Sequence, residues 1–195
     1  YYTRYRAGSE YPIYARKAGT LEAAEQVMID AGELARGRGY YSVGEYAIAP
    51  NDRLLAYVDD TVGRRQYTLR FKDLATGKTL PDAIPNVEPD LAWNADSTSV
   101  LYVEKNPVTL LGYRVRRHVL GTDPARDPLV YEQDDLSFYT SVTTTKDGRF
   151  LLIVAESTEA SEVRYADAAD PALKFRVFLP RERGHEYQVE HLDGR

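Results

Sequence analysis

The 195-residue chain contains no cysteine. Disulfides and thiolate metal sites are thereby excluded, and the composition is compatible with a reducing, cytoplasmic location. No apolar run approaches the roughly 18 residues of a membrane-spanning helix, and no basic-then-apolar leader opens the chain, so no membrane partner is expected. Histidine is scarce, at three copies, and tryptophan and methionine occur once each. Cations come in short groups such as Arg64-Arg65 and Arg116-Arg117, within a formal charge of −5. The cationic stripe with stacking aromatics that nucleic acid requires is missing.

Several catalytic signatures are also missing. A hydrolase nucleophile elbow needs the pattern G-x-S-x-G. Ser42 has Gly44 two residues after it but Tyr40 two before, and reads as a strand serine. Gly32 and Gly37 have the spacing of a phosphate loop, but Arg38-Gly39 follows where lysine and serine or threonine are required. Gly37-Arg38-Gly39 begins a dinucleotide fingerprint, and Ser42 stands where its last glycine should be. His185 and His191 are six apart, which suits no helical metal pair and separates them by roughly 20 Å on a strand. His118, His185 and His191 therefore read as surface or strand residues. The acid pairs Asp59-Asp60 and Asp134-Asp135 read as solvated loop carboxylates rather than acid–base groups. The sequence assigns no catalytic residue, no metal ligand and no cofactor, and the substrate-contacting residues stay unknown.

What the chain does have is a repeat. Asn51-Asp52-Arg53, Asp96-Ser97-Thr98, Asp147-Gly148-Arg149 and Asp193-Gly194-Arg195 are turn signals at intervals of 45, 51 and 46 residues. The first three lead into the apolar runs Leu54–Tyr57, Ser99–Tyr102 and Phe150–Ile153. A period of this length, with a turn followed by an apolar strand, is the signature of a propeller blade. Second strands follow at 69–74, 115–120 and 163–167, each with arginine directly after an aliphatic residue. Outer strands are expected at 129–131 and 175–179, with a weaker one near Thr79-Leu80. Inner strands are expected near Tyr46, Ala92 and Ser141. Four such strands make one antiparallel blade. Sixteen tyrosines suit such half-buried pleated surfaces.

Leu21 to Arg36 could form an amphipathic helix, but the repeat favours an outer strand at 26–29 and a helical turn at 33–36. Pro81–Pro89, Asn106–Gly112 and Gly121–Pro128 read as short linkers. The expected fold class is all-β: a partial β-propeller, with 1–36 the back of an early blade, blades at 40–84, 87–132 and 138–180, and 186–195 the start of the next. Because the last turn signal has no strand after it, the chain is expected to be a piece of a larger protein.

Longer strings go beyond blade grammar. They include Glu10-Tyr11-Pro12-Ile13-Tyr14, Asp60-Thr61-Val62-Gly63-Arg64-Arg65-Gln66-Tyr67-Thr68-Leu69-Arg70-Phe71, Leu120-Gly121-Thr122-Asp123-Pro124 and Phe178-Leu179-Pro180-Arg181-Glu182-Arg183-Gly184-His185-Glu186-Tyr187. Over essentially the whole chain these strings resemble the oligopeptidase B branch of the prolyl oligopeptidase family of serine peptidases. The resemblance implies a seven-bladed propeller that filters access and docks to an α/β-hydrolase catalytic domain. It further implies cleavage of short peptides after Arg or Lys. No position here matches the catalytic motifs of that family, so no catalytic residue carries over and the chain alone is expected to be inactive. A generic propeller interaction scaffold is the alternative. Such scaffolds carry Trp-Asp or Gly-Gly signatures, whereas Trp93 is followed by Asn94 and Gly-Gly is absent. An open ring leaves strand edges and blade faces uncovered, so self-association is expected of the chain.

Overall fold

The computed structural model describes residues 1–194. Arg195, the end of the fourth turn signal, lies outside the described residues. The chain is a run of antiparallel strands: β1 (Tyr2–Tyr5), β2 (Pro12–Lys17), β3 (Glu25–Asp30), β4 (Ser42–Ile48), β5 (Leu54–Asp60), β6 (Tyr67–Asp73), β7 (Thr79–Trp93), β8 (Ser99–Lys105), β9 (Gly112–Val119), β10 (Leu129–Glu132), β11 (Tyr139–Thr144), β12 (Phe150–Glu156), β13 (Ser161–Asp167) and β14 (Arg176–Leu179). A short α-helix, α1 (Ala31–Ala35), follows β3, capped by the Asp30 side chain, which accepts from the Glu33 amide, and a 3-10 turn at Pro124–Arg126 precedes β10. The segment 21–36 thus forms a strand and then a helical turn, as the repeat demanded.

The repeated turn has one local cause. The anchor side chain accepts a hydrogen bond from the amide two residues on: Arg53 N–H to Asn51, Thr98 N–H to Asp96, Arg149 N–H to Asp147. The residue between takes left-handed backbone, at φ 57° for Asp52, 63° for Ser97 and 72° for Gly148. Asp, Asn, Ser and Gly are the residues that support this geometry. The apolar run then enters the sheet. In β5, β8 and β12 the run is buried on both faces, β5 and β8 between neighbouring blades and β12 between the third blade and the segment 186–192.

The strands form three sheets, with orders β1-β2-β3, β10-β9-β8-β7-β6-β5-β4 and β11-β12-β13-β14. The seven-stranded sheet corrects one expectation, that Pro81–Pro89 is a linker between separate blades. Instead β7 runs for 15 residues. Its first half pairs with β6 as the outer strand of one blade, and its second half pairs with β8 as the inner strand of the next. The changeover falls near Asn86, at φ 61°, whose side-chain amide donates to the Lys105 carbonyl. Prolines are tolerated here because an outer strand has a partner on one side only.

Three apolar layers hold the blades together. Met28, Ile29, Leu55 and Tyr57 join the first blade to the second. Phe71, Trp93, Val58, Leu69 and Val100 join the second to the third. Leu101, Val103, Val115, Val142 and Ile153 join the third to the fourth. The segment 186–192 forms no strand and lies against the last blade. There the Tyr187 hydroxyl donates to the Leu179 carbonyl at 2.8 Å, and His191 meets Asp147 at 2.6 Å.

Candidate functional site

In an antiparallel meander, successive connections alternate between the two ends of the strands. The loops β5–β6, β8–β9 and β12–β13 therefore share one end with every passage from an outer strand to the next inner one. Contacts tie these segments together. A Cβ placed on Gly63, in the β5–β6 loop, would lie 3.3 Å from the ring of Tyr40, which precedes β4. Lys105, at the end of β8, donates to the Arg65 carbonyl at 3.0 Å and pairs with Glu88 at 3.3 Å.

This end is both apolar and rigid. Val62, Val108, Leu110, Leu136 and Tyr139 are each more than half exposed there, Val108 at 88%. The opposite end carries the repeated turns at Asn51, Asp96 and Asp147, and its large exposed side chains include Tyr1, Leu21, Leu129 and Leu192. Rigidity comes from Asp60, which accepts from the amides of Val62, Gly63 and Arg65 at 2.8, 3.0 and 2.7 Å. Burial opposes ionisation of Asp60, but those amides outweigh it and hold the carboxyl below its ordinary range. Beside it, Asp59 takes Arg70 at 3.0 Å and the Tyr41 hydroxyl at 3.2 Å. Burial, then the Asp59 charge, pushes the Tyr41 hydroxyl far up.

The inner strands bring carboxylates together. Asp90 is pushed up to about 6, first by burial and then by the charges of Glu88 and Glu45. A carboxyl raised in the folded state contributes stability below its ordinary pKa and loses it as pH rises through about 6. Asp90→Asn, which cannot ionise, is expected to raise the thermal midpoint of the full-length protein above that pH and leave it unchanged below about 4. A pH series of melting curves reads this out.

One sequence expectation needs correcting. Asp59 and Asp60 are not solvated loop acids; both lie at the end of β5 and are buried, because each is enclosed by donors that replace water. His118 is, of the two readings surface or strand, a strand histidine of β9, and it is fully buried. Asp134 and Asp135 are exposed between β10 and β11. Ser42 opens β4, paired with Asp60. His185 tilts against Tyr187, with ring centroids 5.3 Å apart. Among the described residues, no three His, Cys, Asp or Glu side chains form a group that could hold a metal. The apolar character of one end was missed because exposed loop residues carry no periodic signal.

Four-stranded antiparallel blades around inner strands, with adjacent blades packed face to face, define a portion of a β-propeller. The family model for the prolyl oligopeptidase N-terminal β-propeller domain matches residues 1–195, and the chain belongs to that family. It is 47% identical over 210 residues to dipeptidyl aminopeptidase BI of Pseudoxanthomonas mexicana, covering 100% of this chain and 29% of that protein. It is 31% identical over 204 residues to protease 2 of Moraxella lacunata, covering 99% and 29%. The structure aligns with oligopeptidase B from Leishmania major at TM-score 0.88 and 31% identity, over 98% of this chain and 28% of that one. Oligopeptidase B from Trypanosoma brucei, in a closed form with covalently bound antipain, aligns at TM-score 0.88 and 28% identity, over 99% and 28%. The resemblance to oligopeptidase B is thus borne out, and the chain spans 29% of the length of each of these two curated relatives.

Proposed function

We propose that this chain is the non-catalytic propeller portion of an oligopeptidase B-like serine peptidase that cleaves short peptides after Arg or Lys. In this reading the propeller filters substrate access and docks to a catalytic domain of the same protein. The observation that carries the docking is the apolar, rigidly held end bearing Val62, Val108, Leu110, Leu136 and Tyr139. Exposed apolar area of this kind marks an interaction surface, and a preorganised surface binds at lower entropic cost. Carboxylates on the inner strands, Glu45, Glu88 and Asp90, are in keeping with cationic peptide substrates, which they would attract. A cytoplasmic location belongs to the same proposal and is compatible with a cysteine-free chain.

A second reading has one observation in its favour. The relative at 47% identity carries the name of a dipeptidyl aminopeptidase, so the whole protein would release dipeptides from free N-termini. Assays of the full-length protein separate the two. Rapid hydrolysis of N-blocked Arg and Lys peptides supports the first reading; hydrolysis confined to unblocked dipeptidyl substrates supports the second. Val108→Asp combined with Leu136→Asp tests the docking face. Burying one such side chain contributes about 1.5–3 kcal/mol, so kcat/KM is expected to drop about tenfold or more. Unchanged kinetics in a folded double variant would remove this face from the docking surface.

A further inference from the structure

Away from the exposed end, one buried network spans two blades. His118, in β9, is fully buried. Its Nδ1 lies 3.0 and 3.1 Å from the two carboxylate oxygens of Asp127, and its Nε2 lies 3.1 Å from Asp82 Oδ1. The Tyr102 hydroxyl donates to Asp127 at 3.0 Å, and the Gly121 amide donates to Asp82 at 2.6 Å. Phe71 stacks on the imidazole with centroids 5.6 Å apart. The titratable and charged groups facing this ring are therefore Asp82 from β7, Tyr102 and Glu104 from β8, Arg116 from β9 and Asp127 ahead of β10. Arg116 donates to the Asp127 carbonyl and is paired with Glu104.

A neutral imidazole has one N–H and can donate on one side only. On its other side a lone pair would face an ionised carboxylate, out of reach of water. That arrangement forfeits a buried hydrogen bond and adds repulsion. Both contacts are hydrogen bonds only when a second proton is present, on the ring or on a carboxyl group. We propose that His118, Asp82 and Asp127 share two protons in the folded protein, and that the second proton makes the junction between two blades a pH-dependent latch. Asp82 and Phe71 belong to the blade that ends in the first half of β7; His118, Tyr102 and Asp127 belong to the next.

The direction of the dependence follows from proton counting. A carboxylate on each side of the enclosed ring favours retention of the second proton in the folded state, and burial raises the Asp127 carboxyl above its ordinary value in the same sense. The unfolded chain carries the second proton only below the ordinary imidazole pKa of about 6.5. Above that pH the folded state binds more protons than the unfolded one, and stability falls as pH rises until the cluster lets the proton go. Below about pH 6 both states hold it, and the contribution is fully present. The protons belong to the cluster as a whole rather than to one residue.

The test uses the full-length protein. Thermal midpoints are measured from about pH 6 to about pH 9, the range that brackets the imidazole pKa from above. Asp82→Asn keeps Oδ1 as an acceptor for both the Gly121 amide and an Nε2–H but carries no negative charge, so it removes one of the two anions that hold the second proton on the cluster. The wild-type midpoint is expected to fall by several degrees across the range relative to Asp82→Asn. Parallel wild-type and variant curves would overturn the latch. His118→Gln, which cannot titrate, gives an independent reading: its midpoint is expected to be lower at acidic pH and to converge on wild type as pH rises. A constant gap between the two at every pH would also overturn it.

Discussion

Phe71→Ala is expected to be among the most damaging single substitutions in this chain. Phe71 is fully buried in β6. Its ring meets Trp93 edge-on at 5.9 Å and stacks on His118 at 5.6 Å. Truncation removes a large buried side chain and leaves a cavity between two blades whose walls are strands of separate blades and relax little. The expected loss is about 3–5 kcal/mol. It would also uncover one side of the His118 network, where unpaired polar groups cost more in a low-dielectric site. Phe71→Leu, which fills most of the volume, is expected to lose clearly less, about 1.5 kcal/mol. Denaturant unfolding of the full-length protein, followed through tryptophan fluorescence, measures both. Equal losses for the two variants would show that packing volume is not what the position supplies.

The second large effect concerns residues 1–195 on their own, which are expected to self-associate. The outer strand β14 exposes Val177, Phe178 and Leu179. Next to it, Phe150, Leu152, Tyr165 and Phe178 line a groove of about 410 Å3 with residues 188–191. At the other end of the chain, β1 is the edge of a three-stranded sheet, with Tyr1 and Tyr5 more than half exposed. In a closed propeller a neighbouring blade would cover each of these surfaces. Left open, an edge strand offers unpaired N–H and C=O groups, and the apolar face beside it adds burial. Light scattering across a concentration series is expected to show mass rising above that of a 22.1 kDa monomer. Phe178→Asp should shift the equilibrium back toward monomer. A wild-type chain that stays monomeric at the highest concentration would show that residues 186–192 already shield the last blade well enough.

Much of the fold was legible in the sequence because its signals are local. The Asx turns at Asn51, Asp96 and Asp147 depend on two or three neighbouring residues and a left-handed backbone position, so they can be read wherever they occur. The apolar runs that follow had to be strands sandwiched between blades, since they are too short for buried helices. The order β11-β12-β13-β14 then follows from hairpin connections alone. The tertiary structure decided what depends on residues far apart in the chain. That β7 serves two blades is set by which strand lies on each side of it, and three prolines concealed the strand. Asp82 and His118 are 36 residues apart, and only the stacking of two blades puts a carboxylate on each side of that ring. Asp59 and Asp60 look like ordinary solvated acids until Arg70, Tyr41 and the backbone amides of the next loop close around them. Burial of a polar group is a property of its surroundings, and a linear pattern records those surroundings only where neighbours in sequence are also neighbours in space.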